Sequence, residues 1–171
     1  MSDSNLDIQQ LLNRLEEKLR AVILERKIEN PLMIGIHTGG GWVAETLHKR
    51  LNIQEPLGLL NISFYRDDFS QIGMHPEVKP SSLPVDIEGR DVLLIDDVLF
   101  TGRTIRAALN EIFDYGRPDQ VILGVLLDRG EREIPLQPDA IGGQVKLAQG
   151  EQIKLSGPEP LQLSINALEN L

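Results

Sequence analysis

Apolar residues along the chain follow two alternating rhythms. Ile8, Leu11, Leu12, Leu15, Leu19, Val22 and Ile23 recur every three or four positions, with Glu16, Glu17, Lys18 and Arg20 opposite them. That spacing predicts an amphipathic helix within about residues 5–29. Pro31 breaks the pattern, and Leu32-Met33-Ile34-Gly35-Ile36 is a continuous apolar run of the kind found in a strand buried on both faces. After His37-Thr38-Gly39-Gly40-Gly41, helical spacing returns at Trp42, Val43, Leu47 and Leu51. The run from Leu57 to Tyr65 reads as a strand that stops at Arg66-Asp67-Asp68. From Phe69 to Pro84 no period is sustained and Gly73, Pro76, Pro80 and Pro84 intervene, so a long loop is expected, of a length that compact domains usually reserve for a task such as covering a ligand.

The most apolar strand is expected at Asp91 to Ile95, followed by Asp96-Asp97, a short turn, and a helix through Ile105, Ala108, Leu109, Ile112 and Phe113. Gly116 and Pro118 close that helix in the usual order. A further buried strand, Val121 to Leu127, leads to Asp128-Arg129-Gly130. Strands alternating with helices imply an α/β fold: a central, mainly parallel sheet flanked by helices and joined by right-handed crossovers. Ligands of such sheets bind beyond the carboxyl ends of the strands. His37-Thr38-Gly39, Arg66, Asp96-Asp97 and Asp128-Arg129 all fall there. The tail from Glu131 onward is richer in Pro, Gly and Gln; its runs Gln144–Leu147 and Gln152–Leu155 are expected to pair in a small hood, built from about residues 131–171. At 171 residues, one domain spanning 1–171 is the expectation.

Charge narrows the partners. A formal net charge of −9 repels polyphosphates and nucleic acids from the molecule as a whole, so any anion must be held by a local site. The same balance disfavours a general RNA- or DNA-binding role. No stretch approaches the roughly 20 apolar residues that span a bilayer, and MSDSNLDIQQ has neither the basic start nor the apolar run of a secretory signal, which places the chain in the cytoplasm with no membrane partner. The absence of cysteine excludes disulfides, thiolate metal sites and cysteine nucleophiles.

The chemistry concentrates in Val92-Leu93-Leu94-Ile95-Asp96-Asp97-Val98-Leu99-Phe100-Thr101-Gly102-Arg103-Thr104. A strand delivers two adjacent carboxylates into a turn and then a helix start. Thr101, Gly102, Arg103 and Thr104 place backbone N–H groups and two hydroxyls at a helix N-terminus, whose partial positive charge favours a phosphate. Gly102 lets the backbone approach the phosphate oxygens. Asp96 and Asp97 accept hydrogen bonds only, which suits neighbouring sugar hydroxyls or magnesium-bound water. An isolated Asp-Asp at a strand end also serves as a helix cap; the flanking residues here favour the ligand role.

This pattern resembles the phosphoribosyl-diphosphate motif of type I phosphoribosyltransferases. The resemblance implies that fold, with Asp96 and Asp97 on the ribose hydroxyls, Thr101 to Thr104 around the 5′-phosphate, and Val98, Leu99 and Phe100 in the same binding segment. Ser63-Phe64-Tyr65-Arg66-Asp67-Asp68, Tyr115-Gly116-Arg117-Pro118 and Leu127-Asp128-Arg129-Gly130-Glu131-Arg132-Glu133-Ile134-Pro135 are similar to the pyrimidine operon attenuator and uracil phosphoribosyltransferase family, PyrR. The likeness runs from about Leu32 to Leu155. It implies binding of phosphoribosyl diphosphate, uracil and UMP, catalysis involving Asp96, Asp97 and Arg66, Mg2+ held by Asp96 and Asp97 through water, and a homodimer or higher homo-oligomer. It also places Thr38 and Gly39 in the diphosphate loop, and Arg129 and Ile153 against the base, Ile153 through its backbone.

Two departures matter. The family pattern carries an arginine where this chain has Gly39, which removes a cation from the leaving-group site; His37 or Arg66 are the candidates to replace it. Glu131 and Gly143 stand where RNA-binding relatives carry His and Lys, which leaves Arg129, Arg132, Lys146 and Lys154 as the cations available to RNA. Arg129 has a second reading, as the ion-pair partner of Asp128 or Glu133. Trp42 is expected in the core or at a subunit contact, and an exposed first helix together with Leu59 and Ile62 is the surface expected to support a dimer.

Overall fold

The computed structural model describes residues 6–62 and 81–168. Its first helix, α1 (Ile8–Glu25), is capped by Asp7, whose carboxylate accepts the N–H groups of Gln9 at 2.9 Å and Gln10 at 3.4 Å. Leu11, Leu12, Leu15 and Leu19 are buried, so the expected apolar stripe is turned into the molecule rather than left open for a partner. Ile62 is likewise buried, at 2% exposure. The helix stripe packs on one face of the sheet with Leu93, Ile95 and Leu126, whereas Ile62 belongs to the apolar cluster on the other face with Leu60, Ile87 and Leu94.

Five strands form one parallel sheet: β1 (Leu32–Ile36), β2 (Gly58–Leu60), β3 (Asp91–Leu99), β4 (Gln120–Asp128) and β5 (Ala140–Gln144), in the order β2-β1-β3-β4-β5. Helix α2 (Gly39–Arg50) follows β1, and α3 (Arg103–Tyr115) follows β3. Alternation along β3 sends Leu93 and Ile95 towards α1 and α2, and Val92 and Leu94 towards Ile105, Ala108 and Ile112 of α3. The sheet is therefore covered on both faces, as the expected α/β type I phosphoribosyltransferase architecture requires.

Several boundaries differ from those read in the sequence. Strand β3 continues through the acidic pair to Leu99, because Val98 and Leu99 pair with Leu127 and Asp128 of β4. The expected strand from Leu57 is ordered as β2 only over Gly58–Leu60; its later part, with Arg66 and most of the loop from Phe69, lies outside the described residues. Gly116 ends α3 where the sequence places the stop, in extended backbone with φ 164°.

Gln144–Leu147 does not pair with Gln152–Leu155. Gln144 ends β5, a fifth strand of the main sheet that its short, glycine-containing sequence concealed. The small hood is an antiparallel hairpin of β6 (Glu151–Ser156) and β7 (Gln162–Ala167), with Ile153 opposite Ile165 and Leu155 opposite Leu163. It stands over α2: a Cβ on Gly157, just after β6, would lie 3.3 Å from the Trp42 ring.

Candidate active site

Parallel register aligns the strand ends that carry the chemistry. Gly35 pairs with Ile95, so the turn after β1 lies level with the acidic pair on β3, and Leu99 pairs with Asp128 at the end of β4. Asp96 is 4% exposed and Asp97 half-buried. The Asp97 N–H donates to Asp96 Oδ1 at 2.8 Å, and the Val98 N–H donates to Asp97 Oδ1 at 2.9 Å. Each carboxylate is thus oriented by the next backbone amide, which limits its rotation.

Helix α2 begins directly against this pair. A Cβ on Gly40 would lie 2.9 Å from Asp96 Oδ1, and one on Gly39 would overlap the Asp97 carboxylate. A Cβ on Gly35 would meet the Ala44 Cβ at 2.7 Å. The glycines of this turn therefore exist for close packing: they let the N-terminal end of α2 approach β1 and β3, facing its partial positive charge towards two carboxylates. A cis peptide bond joins His37 and Thr38. The His37 N–H donates to the Leu60 carbonyl at 2.8 Å, and its buried Nδ1 has no hydrogen-bond partner among the described residues. Thr38 is exposed.

On the other side of the acidic pair, Phe100, Thr101 and Gly102 form the turn into α3. Gly102 has φ 95°, a conformation L side chains rarely adopt, and a Cβ there would also strike Ile134 Cγ1 at 2.8 Å. Thr101 Oγ1 accepts the Arg103 N–H at 3.3 Å. Thr101 and Thr104 are half-buried, Arg103 is exposed, Val98 is half-buried, and the Leu99 side chain lies in the core, so Leu99 can serve a ligand only through its backbone.

Arg129, at the end of β4, stacks over the Phe100 ring at 3.8 Å, and its buried Nε has no hydrogen-bond partner among the described residues. It pairs with neither of the carboxylates proposed for it from sequence. Asp128 is taken by Arg132 at 2.7 Å and Glu133 by Arg103 at 2.8 Å. Burial raises the Asp128 carboxyl, but hydrogen bonds from Arg132 and the Gly130 N–H, with the Arg132 charge, outweigh it and hold the group below its ordinary value. Arg132 is thus no free surface cation. Its side chain is 13% exposed, and no signal in the sequence marked it for burial.

The hood reaches the same region through Leu155, whose Cδ2 would lie 3.3 Å from a Cβ on Gly39. Ile153 packs against the apolar cluster beneath α1 and α2. The strand ends therefore gather Thr38, Gly39, Asp96, Asp97 and the 98–104 segment, with Arg129 beside Phe100; Arg66 lies outside the described residues.

A family model described as a phosphoribosyl transferase domain matches residues 2–152. The bifunctional protein PyrR of Pseudomonas aeruginosa is 55% identical over 161 residues, covering 94% of this chain and 95% of that protein. The bifunctional protein PyrR of Nitrosococcus oceani is 53% identical over 167 residues, covering 96% and 94%. This chain belongs to the PyrR family. Among solved structures, a hypoxanthine-guanine phosphoribosyltransferase of Bacillus anthracis superposes with a TM-score of 0.64 at 20% identity, covering 82% of this chain and 79% of that one. A purine phosphoribosyltransferase of Pyrococcus horikoshii gives 0.58 at 21%, covering 81% and 83%. Those two likenesses concern the fold.

Among the described residues no group of three or more His, Asp or Glu side chains forms a cage. Two adjacent carboxylates without a cage fit a hydrated magnesium that takes its remaining ligands from substrate oxygens and water.

Proposed function

We propose that this PyrR-family chain is a uracil phosphoribosyltransferase, forming UMP and diphosphate from uracil and phosphoribosyl diphosphate. One observation carries the reading: Asp96 and Asp97 are held at the end of β3 immediately before the left-handed Gly102 turn into α3. A ribose 5-phosphate needs that pairing of hydroxyl acceptors with an anion cradle. Asp96 and Asp97 hold the ribose hydroxyls, while Thr101 to Thr104 take the 5′-phosphate with their amides and hydroxyls.

The reaction forms a bond between uracil N1 and ribose C1 as the bond from C1 to diphosphate oxygen breaks; uracil loses its N1 proton. Positive charge develops on the ribose, and the chain's part is alignment and charge stabilisation. Asp96 and Asp97 favour the developing charge and fix the ring. The Thr38–Gly39 turn takes the diphosphate, assisted by His37 or Arg66. Arg129, set by its stack on Phe100, presents a donor towards the base, and the Ile153 backbone supplies a further contact to it. Magnesium, held through water by Asp96 and Asp97, would neutralise part of the diphosphate charge.

Regulation of pyrimidine gene expression is the second activity we assign, through binding of UMP at the same site. A reading with weak or no catalysis is favoured by one feature, the uncharged Gly39 in the diphosphate turn. RNA contact is disfavoured by the net charge of −9, by Glu131 and Gly143, and by the internal use of Arg132. A homodimer or higher homo-oligomer and a cytoplasmic location complete the proposal; no helix among the described residues is long and apolar enough to cross a membrane.

UMP formation from uracil and phosphoribosyl diphosphate at saturating magnesium tests the enzyme. Turnover is expected, and none at all overturns it. Calorimetric titration with UMP and with a pyrimidine leader RNA separates the two activities: tight UMP binding with negligible turnover selects the sensor.

A further inference from the structure

Segment 128–136 forms a brace behind the Phe100–Gly102 turn. Arg132 spans it with one side chain. Its Nη1 donates to the Phe100 carbonyl at 2.9 Å and the Gly130 carbonyl at 3.2 Å, its Nε to the Leu136 carbonyl at 2.9 Å, and its Nη2 to Asp128 Oδ2 at 2.7 Å. The Thr101 carbonyl accepts the Glu133 N–H at 2.9 Å and the Ile134 N–H at 3.3 Å. Ile134 also fills the space beside Gly102.

These bonds orient more than the carbonyls. The peptides following Phe100 and Thr101 are trans, and in a planar trans peptide the C=O and N–H point in opposite directions. With the Phe100 carbonyl turned to Arg132, the Thr101 N–H points away from the brace. With the Thr101 carbonyl turned to Glu133 and Ile134, the Gly102 N–H does the same. Both amides are thereby aimed to the side opposite the brace before any ligand arrives.

We propose that Arg132 is a positioning residue for the 5′-phosphate cradle: by binding the Phe100 carbonyl and anchoring the brace to Asp128, it presets the Thr101 and Gly102 amides towards the phosphate. This rests on the phosphoribosyl reading of the site. Arg132 does not touch the ligand. Five donors on a rigid fork satisfy acceptors spread over the brace, which a single ammonium cannot do.

The test compares UMP with uridine, which differ only in the 5′-phosphate, by calorimetry on the wild type, Arg132→Lys and Arg132→Met, with circular dichroism and thermal melts confirming the fold. The wild type is expected to favour UMP strongly. Arg132→Met is expected to reduce the UMP-to-uridine affinity ratio by at least about tenfold, with uridine affinity altered less than about twofold, and Arg132→Lys to restore only part of it. A folded variant that keeps the wild-type ratio overturns the inference. Wild-type protein that binds UMP no better than uridine instead sinks the phosphoribosyl reading, and this inference with it. Amide NMR of the wild type gives an answer independent of variant stability: the Thr101 and Gly102 N–H resonances must shift downfield with UMP and not with uridine, and their failure to shift refutes the preset.

Discussion

Gly39→Ala adds one methyl group where α2 meets β3. The new Cβ would overlap the Asp97 carboxylate oxygen, lie 3.0 Å from Asp97 Cγ and 3.3 Å from Leu155 Cδ2. Something must give. The start of α2 is tightly seated, since Gly40 and Gly35 already bring it against Asp96 and β1, so the carboxylate is the softer partner. Swinging Asp97 aside breaks its 2.9 Å bond from the Val98 N–H, a loss of about 1.5–3 kcal/mol for a charged acceptor. A displacement near 1 Å of a substrate-positioning group costs up to about 100-fold in rate. The expected result is a kcat/KM for UMP formation lowered about 10- to 100-fold, or about 1.4–2.7 kcal/mol. The melting temperature should fall by about 2–4 °C for each kcal/mol lost. Labelled uracil incorporation and calorimetric melting read the two effects. Wild-type kcat/KM together with a wild-type melting temperature would refute the argument. Gly39→Arg carries the same Cβ and is expected to lose activity despite restoring a cation; a gain would show that the leaving-group charge outweighs the displacement of Asp97.

Gly102→Ala should impose left-handed strain of about 1–3 kcal/mol and push on Ile134, lowering UMP affinity more than uridine affinity; equal affinity changes measured by calorimetry would contradict the cradle. Asp128→Asn should destabilise the protein by about 2 kcal/mol at neutral pH by leaving the Arg132 charge without its carboxylate. Because the folded pKa of Asp128 lies below its unfolded value, that stability is present above the ordinary carboxylate range and is lost as pH falls through the lowered folded value. Urea melts of parent and variant should therefore converge on acidification, and a gap that stays constant down to acid would refute the assignment. Leu19→Ala, deep between α1 and the sheet at 0% exposure, should cost about 3 kcal/mol, read as a fall in urea midpoint at unchanged slope.

Sequence alone determined the elements whose information is local. Apolar residues spaced for one face of α1, unbroken apolar runs in β1, β3 and β4, and the Asp96–Thr104 motif each specify their own conformation through burial and backbone preference, and together they imply a parallel sheet with its site at the strand ends. The hood was legible as a region but not in its pairing. Ala140–Gln144 carries too little apolar pattern to announce a strand, and becomes one because the edge of β4 is free to pair with it and α1 packs over the pair. Tertiary structure also decided what the polar residues do. Gly39 reads as a missing cation in one dimension, whereas in three it is the space that the Asp97 carboxylate occupies. Arg132 reads as a surface charge, yet it is enclosed by acceptors from Phe100, Asp128, Gly130 and Leu136. The physical reason is common to both: steric exclusion and hydrogen-bond satisfaction depend on which atoms meet, and those partners lie tens of residues away or around a turn that no periodicity encodes.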